Sequence, residues 1–132
     1  MKYSAQIKNT SGGHEIMLKV GEKEQTLSIA STPTGGSSIT GGELLFLALA
    51  TCYCNDIYRE AAAFDMKVEG IEVEVEGDFE APGKPGTNIV YRARVHANAG
   101  EEKIRELMLH TDAIAEIQNT VRVGTPVKFE FD

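Results

Sequence analysis

A chain of 132 residues with a formal charge of −7, a pI near 5.0 and no tryptophan fits one domain, here read as residues 1–132, which buries roughly two thirds of its unfolded surface. The acidic balance argues against nucleic acid as a partner, because binding a phosphate backbone needs a basic face. The opening MKYSAQIKNT alternates rather than running apolar, so it does not read as a secretory signal, and two cysteines two residues apart make no disulfide framework. The expected location is therefore a reducing cytoplasm.

In chain order, Tyr3, Ala5 and Ile7 alternate with Lys2, Ser4, Gln6 and Lys8, predicting a strand with one solvated face. Thr10-Ser11-Gly12-Gly13 is a turn, Ile16, Leu18 and Val20 mark a second strand, and Gly21-Glu22-Lys23 a hairpin turn into a third, over residues 25–31. An uncharged loop, Thr32 to Ser38, leads to a helix that opens with Thr40-Gly41-Gly42-Glu43, the spacing of a capping box. From Leu44 to Cys52 only Thr51 interrupts the apolar residues, so this helix belongs in a core or an interface; the run is too short to span a membrane. Tyr53 and Tyr58 are expected to pack at that interface.

After the helix, residues 67–79 alternate, with Ile71, Val73 and Val75 inward and Glu72, Glu74 and Glu76 outward. The next strand puts Ile89, Tyr91, Ala93, Val95 and Ala97 on one face and Arg92, Arg94 and His96 on the other. Paired with its predecessor, it sets arginines against glutamates, a structural role for Arg92 and Arg94. A second helix starts near Glu101, with Ile104, Leu107 and Met108 on one side; Thr111-Asp112 reads as the cap of a further helical piece through Gln118. A last strand is expected over residues 121–131. The order β-β-β-α-β-β-α-β places the chain in the α+β class, two helices against antiparallel sheet.

Both cysteines lie on the first helix. Positions i and i+2 point about 200° apart, so Cys52 and Cys54 share no face and form no redox couple while the segment stays helical. His14, His96 and His110 have no ligand spacing to them, so no metal and no cofactor is expected. A reactive thiol must ionise, and the helix start lies too far away for its dipole to help. The helix itself offers only one cation, Arg59 at i+7, while Asp56 at i+4 opposes ionisation if it shares the face of Cys52. From the residues alone, a buried helical cysteine is either inert packing or a guarded nucleophile.

Glu43-Leu44-Leu45, followed after six mainly small or apolar residues by Cys52, resembles the central-helix motif of the OsmC/Ohr family, the osmotically inducible protein C and organic hydroperoxide resistance proteins. Element order and length extend the resemblance to essentially the whole chain. It implies an OsmC-like fold, an intertwined homodimer with sites at the subunit interface, and thiol-dependent reduction of organic hydroperoxides. Cys52 then stands at the place of the attacking cysteine, and Glu43 at that of the glutamate that orients a thiol-activating arginine. An external thiol is the implied reductant, and a small organic hydroperoxide or other hydrophobic molecule the implied ligand.

Two departures from the family pattern stand out. The segment from Ala113 to Thr120 lacks the family's second cysteine, and residues 1–42 contain no arginine, leaving Lys19 and Lys23 as the nearest basic candidates. Two functions remain open: a one-cysteine hydroperoxide reductase acting through Cys52, or a non-catalytic homodimer that binds a small hydrophobic ligand.

Overall fold

The computed structural model describes residues 1–132 and divides them into two compact units, Met1–Leu44 and Leu45–Asp132. No helix is long and apolar enough to cross a membrane.

The first unit is a three-stranded antiparallel sheet of β1 (Tyr3–Thr10), β2 (Gly13–Val20) and β3 (Lys23–Thr26), in the order β1-β2-β3. Both hairpins close through two residues: Thr10 faces Gly13, and Val20 faces Lys23. Gly21 holds φ +59, a left-handed conformation that a tight hairpin turn demands and that glycine adopts without strain. The third strand is shorter than its sequence suggests. Pairing ends at Thr26, and only an isolated bridge from Ser31 to Ser37 follows.

The long helix α1 (Gly41–Ala61) begins as its sequence predicts. The Glu43 amide donates to the Thr40 hydroxyl at 3.1 Å, while the Thr40 amide and hydroxyl both reach a Glu43 carboxylate oxygen, at 3.4 and 3.0 Å. A short 3-10 turn, Ala62–Phe64, ends the helical run, and Asp65 leaves it at φ 51.

The second unit is built on a two-stranded antiparallel ladder, β4 (Val68–Asp78) with β5 (Thr87–Ala97). The alternation is realised: Val73 faces Ala93 and Val75 faces Tyr91 on the apolar side, while Glu72 faces Arg94 and Glu74 faces Arg92 on the other. Arg92 reaches Glu76 at 3.0 Å and Arg94 reaches Glu72 at 3.3 Å, exposed pairs each worth about 1 kcal/mol or less. Gly77 is required by packing: a Cβ there would lie 2.8 Å from the Phe46 ring and 3.2 Å from the Thr87 carbonyl.

Helices α2 (Glu101–Ile114) and α3 (Glu116–Arg122) complete the unit. Thr111 does not cap a new helix. Its buried hydroxyl donates to the Leu107 carbonyl at 2.7 Å, one turn back, which lets α2 run on to Ile114. The break falls instead at Ala115, whose ψ of 110 is extended. The core joins Tyr53, Ile57 and Ala61 of α1 to Met66, Val68, Val95 and Leu107. Tyr53 thus packs inside its own chain rather than at an interface, its hydroxyl donating to the Met108 carbonyl at 2.9 Å and its ring meeting Tyr91 edge-on at 5.0 Å. Tyr58 is about half exposed.

The strand expected over residues 121–131 is absent. Val121 and Arg122 belong to α3, Gly124 closes that helix at φ +64, and residues 125–132 pair with no strand of this chain. A strand needs an edge to bond to, and alternation alone supplies none. Val127, Phe129 and Phe131 are left 96%, 81% and 93% exposed.

Burial pushes the Tyr53 hydroxyl up to about 12, and the charge of Asp112 adds to the shift. The ordinary value is 10.0, so the stability that neutral Tyr53 contributes is complete below pH 10 and is lost as pH rises through 12. Urea midpoints are expected to fall between about pH 9 and 11.5, and to fall less in Tyr53→Phe, which has no proton to lose. Equal slopes in the two proteins would contradict this assignment.

Candidate functional site

Helix periodicity places Cys52, Asp56 and Arg59 on one face of α1, at i, i+4 and i+7. The thiol of Cys52 donates to Asp56 Oδ2, with Sγ and oxygen 3.5 Å apart. The other oxygen of that carboxylate receives the guanidinium of Arg59 at 3.1 Å. Asp56 is only 5% exposed, so it is held between a proton donor and a cation with little room to turn.

The fourth member comes from α3. Gln118 is buried and donates to the Leu49 carbonyl at 3.0 Å, which ties α3 to α1. This tie brings Glu116 alongside: one oxygen lies 3.8 Å from the Cys52 sulfur and the other 3.6 Å from Arg59. Arg59 also reaches Glu60 at 2.8 Å, and Glu60 contacts His110 at 2.7 Å. One guanidinium therefore serves three carboxylates.

The electrostatic consequence falls on the thiol. Burial pushes the Cys52 thiol above its ordinary value of 9.0; Asp56 pushes it further by charge and by accepting its hydrogen, and Glu116 by charge. Only the backbone amide of Ile117 acts the other way. Asp56 is itself raised, chiefly by burial and then by Glu116, against the pull of Arg59. Glu116 is lowered, first by its own backbone amide and then by Arg59. The arrangement disfavours the charged form of the sulfur and of the buried carboxylate, and favours it at Glu116.

The sulfur is half-buried and free, as is that of Cys54. The two diverge as helical geometry requires. Cys54 borders a separate shallow groove with Ala50, Thr51, Asn55, Ile71 and Val73. The donor atoms of Cys52, Asp56 and Glu116 lie within 4.8 Å of one another, close enough to meet on one ion. Arg59 already takes the place of a cation against both carboxylates.

Glu43, the other residue singled out from the sequence, is exposed and engaged with Thr40 as the helix cap. It stands nine residues before Cys52 on the same helix. Asp56 and Arg59 were visible as helical neighbours of the thiol, whereas Glu116 was not. It lies 64 positions from Cys52, and its only sequence signal was a charge within an otherwise uncharged segment.

The OsmC family profile, described as OsmC-like protein, matches residues 34–130. No curated protein matches the chain significantly. Among solved structures, an OsmC-like protein from Mycoplasma pneumoniae is similar at a TM-score of 0.63 and 16% identity, over 92% of this chain and 89% of that one. An OsmC-like protein of unknown function from Vibrio cholerae gives a TM-score of 0.60 at 15% identity, covering 91% of this chain and 93% of its own. An OsmC-like hydroperoxide resistance protein from a Jannaschia species gives 0.54 at 14%, covering 88% and 79%. At these identities the likeness is one of fold.

Proposed function

The chain belongs to the OsmC-like family, and on that premise we propose that it reduces organic hydroperoxides through Cys52, as a one-cysteine enzyme. The observation that carries this reading is a free, partly buried Cys52 sulfur set among ionisable groups rather than sealed in hydrocarbon.

In the reaction the Cys52 thiolate attacks the terminal peroxide oxygen and the O–O bond breaks. Sulfur is oxidised to the sulfenic acid, and the alkoxide takes a proton to leave as an alcohol. One external thiol then condenses with the sulfenic acid, releasing water and leaving a mixed disulfide. A second displaces it, restoring Cys52 and carrying away an external disulfide. No second cysteine stands beside Cys52, so resolution falls to the external thiol. Glu43 enters this account by fixing the start of α1 as a cap, a contribution of about 1 kcal/mol.

Burial and two carboxylates keep the sulfur protonated, so its thiolate fraction grows only as pH rises. Consumption of cumene hydroperoxide with dithiothreitol is expected to be slow at neutral pH and to climb into the alkaline range. Cys52→Ser is expected to abolish it and Cys54→Ser to leave most of it. A Cys52→Ser rate equal to the parent rate would end this reading.

The carboxylates against the sulfur also favour a second reading, a non-catalytic homodimer that holds a small hydrophobic molecule. Absence of hydroperoxide consumption at every pH, with tight binding of an apolar fluorescent probe, would select it.

Both readings include a second copy of the chain. The uncovered Val127, Phe129 and Phe131 suit a strand completed by another subunit. Light scattering is expected to give twice the mass of one 14.3 kDa chain, and truncation after Gly124 to shift the protein toward monomer. A monomeric full-length protein would remove this part of the account.

A further inference from the structure

We propose that Asp56 and Glu116 restrain Cys52: together they hold the hydrogen on its sulfur and hold Arg59 to themselves, and neutralising either one makes the thiol more reactive. The inference rests on reading Cys52 as the reacting group.

The geometry makes the restraint explicit. Asp56 uses one oxygen for the thiol and the other for the guanidinium, and Glu116 does the same from α3. The two carboxylates that touch the sulfur therefore also touch the guanidinium. Glu60 draws the guanidinium further still, at 2.8 Å, and His110 behind it contacts Glu60 rather than the thiol. The arginine points the right way to serve the sulfur. On a helix the Cα–Cβ bonds tilt toward the N-terminus, so a residue at i+7 leans back along the face that carries Cys52. What withholds it is the surplus of carboxylate around it.

The two carboxylates differ in a way that an experiment can read. The side chain of Asp56 is 6% exposed and that of Glu116 is 64% exposed. Added salt screens an exposed charge and barely touches a buried one. Glu116 thus acts as the salt-sensitive half of the restraint and Asp56 as the permanent half.

The test is the rate at which iodoacetamide alkylates Cys52, resolved from Cys54 by peptide mass spectrometry, across pH and at low and high ionic strength. Glu116→Gln is expected to raise the neutral-pH rate by about threefold to tenfold at low salt, with a smaller gain in about 0.5 M salt. Asp56→Asn is expected to raise it at both. Arg59→Gln, which leaves the carboxylates unopposed, is expected to lower it. An unchanged or slower rate in Glu116→Gln overturns the proposal even if Asp56→Asn fails to fold, and so does a faster rate in Arg59→Gln. Alkylation reads the thiol itself, so its outcome is independent of whether any hydroperoxide is consumed.

Discussion

Around Arg59 there is more negative charge than one guanidinium can balance. Asp56, Glu60 and Glu116 all reach it, and the thiol of Cys52 sits on the far side of two of them. A cation beside a sulfur ordinarily favours the thiolate, but a cation already committed to carboxylates presents little net field. The same contacts that position Arg59 thereby neutralise it. Arg59 favours the charged form of the nearly enclosed Asp56 against the burial and the Glu116 charge that oppose it, since a buried carboxylate without a partner is strongly penalised. The ion pair is thus a structural need of α1 and a brake on its thiol.

The parts of the fold that sequence made legible are those fixed by local rules. The capping box of Thr40 and Glu43 is written in four adjacent residues and forms as written. The β4–β5 ladder follows from strict alternation, which has one sensible register when one face is apolar and the other charged. The misreadings fall where the deciding partner is distant or absent. Thr111 looks like a cap until its hydroxyl is seen to bond one turn back within α2. Val127, Phe129 and Phe131 carry a strand pattern, but they pair with no strand of this chain and stay exposed.

The site divides along the same line. Cys52, Asp56 and Arg59 follow from the 3.6-residue period of one helix, and the opposing effect of Asp56 follows with them. Glu116 depends on how α3 seats against α1, which is set by Gln118 reaching the Leu49 carbonyl, and no local pattern announces that contact. The likeness to the solved OsmC-like structures is one of architecture. Carboxylates from two helices take the polar contacts of the sulfur, and the nearest arginine comes from the same helix as the thiol.

The central claim is that Cys52 is held as a neutral thiol, and the most direct measurement is a pH titration of its 13Cβ resonance in selectively labelled protein. Burial and the two carboxylates predict a midpoint above the ordinary thiol value of 9.0. A midpoint more than about one unit below that value would mean that a positive charge reaches the sulfur unopposed, and would contradict the account.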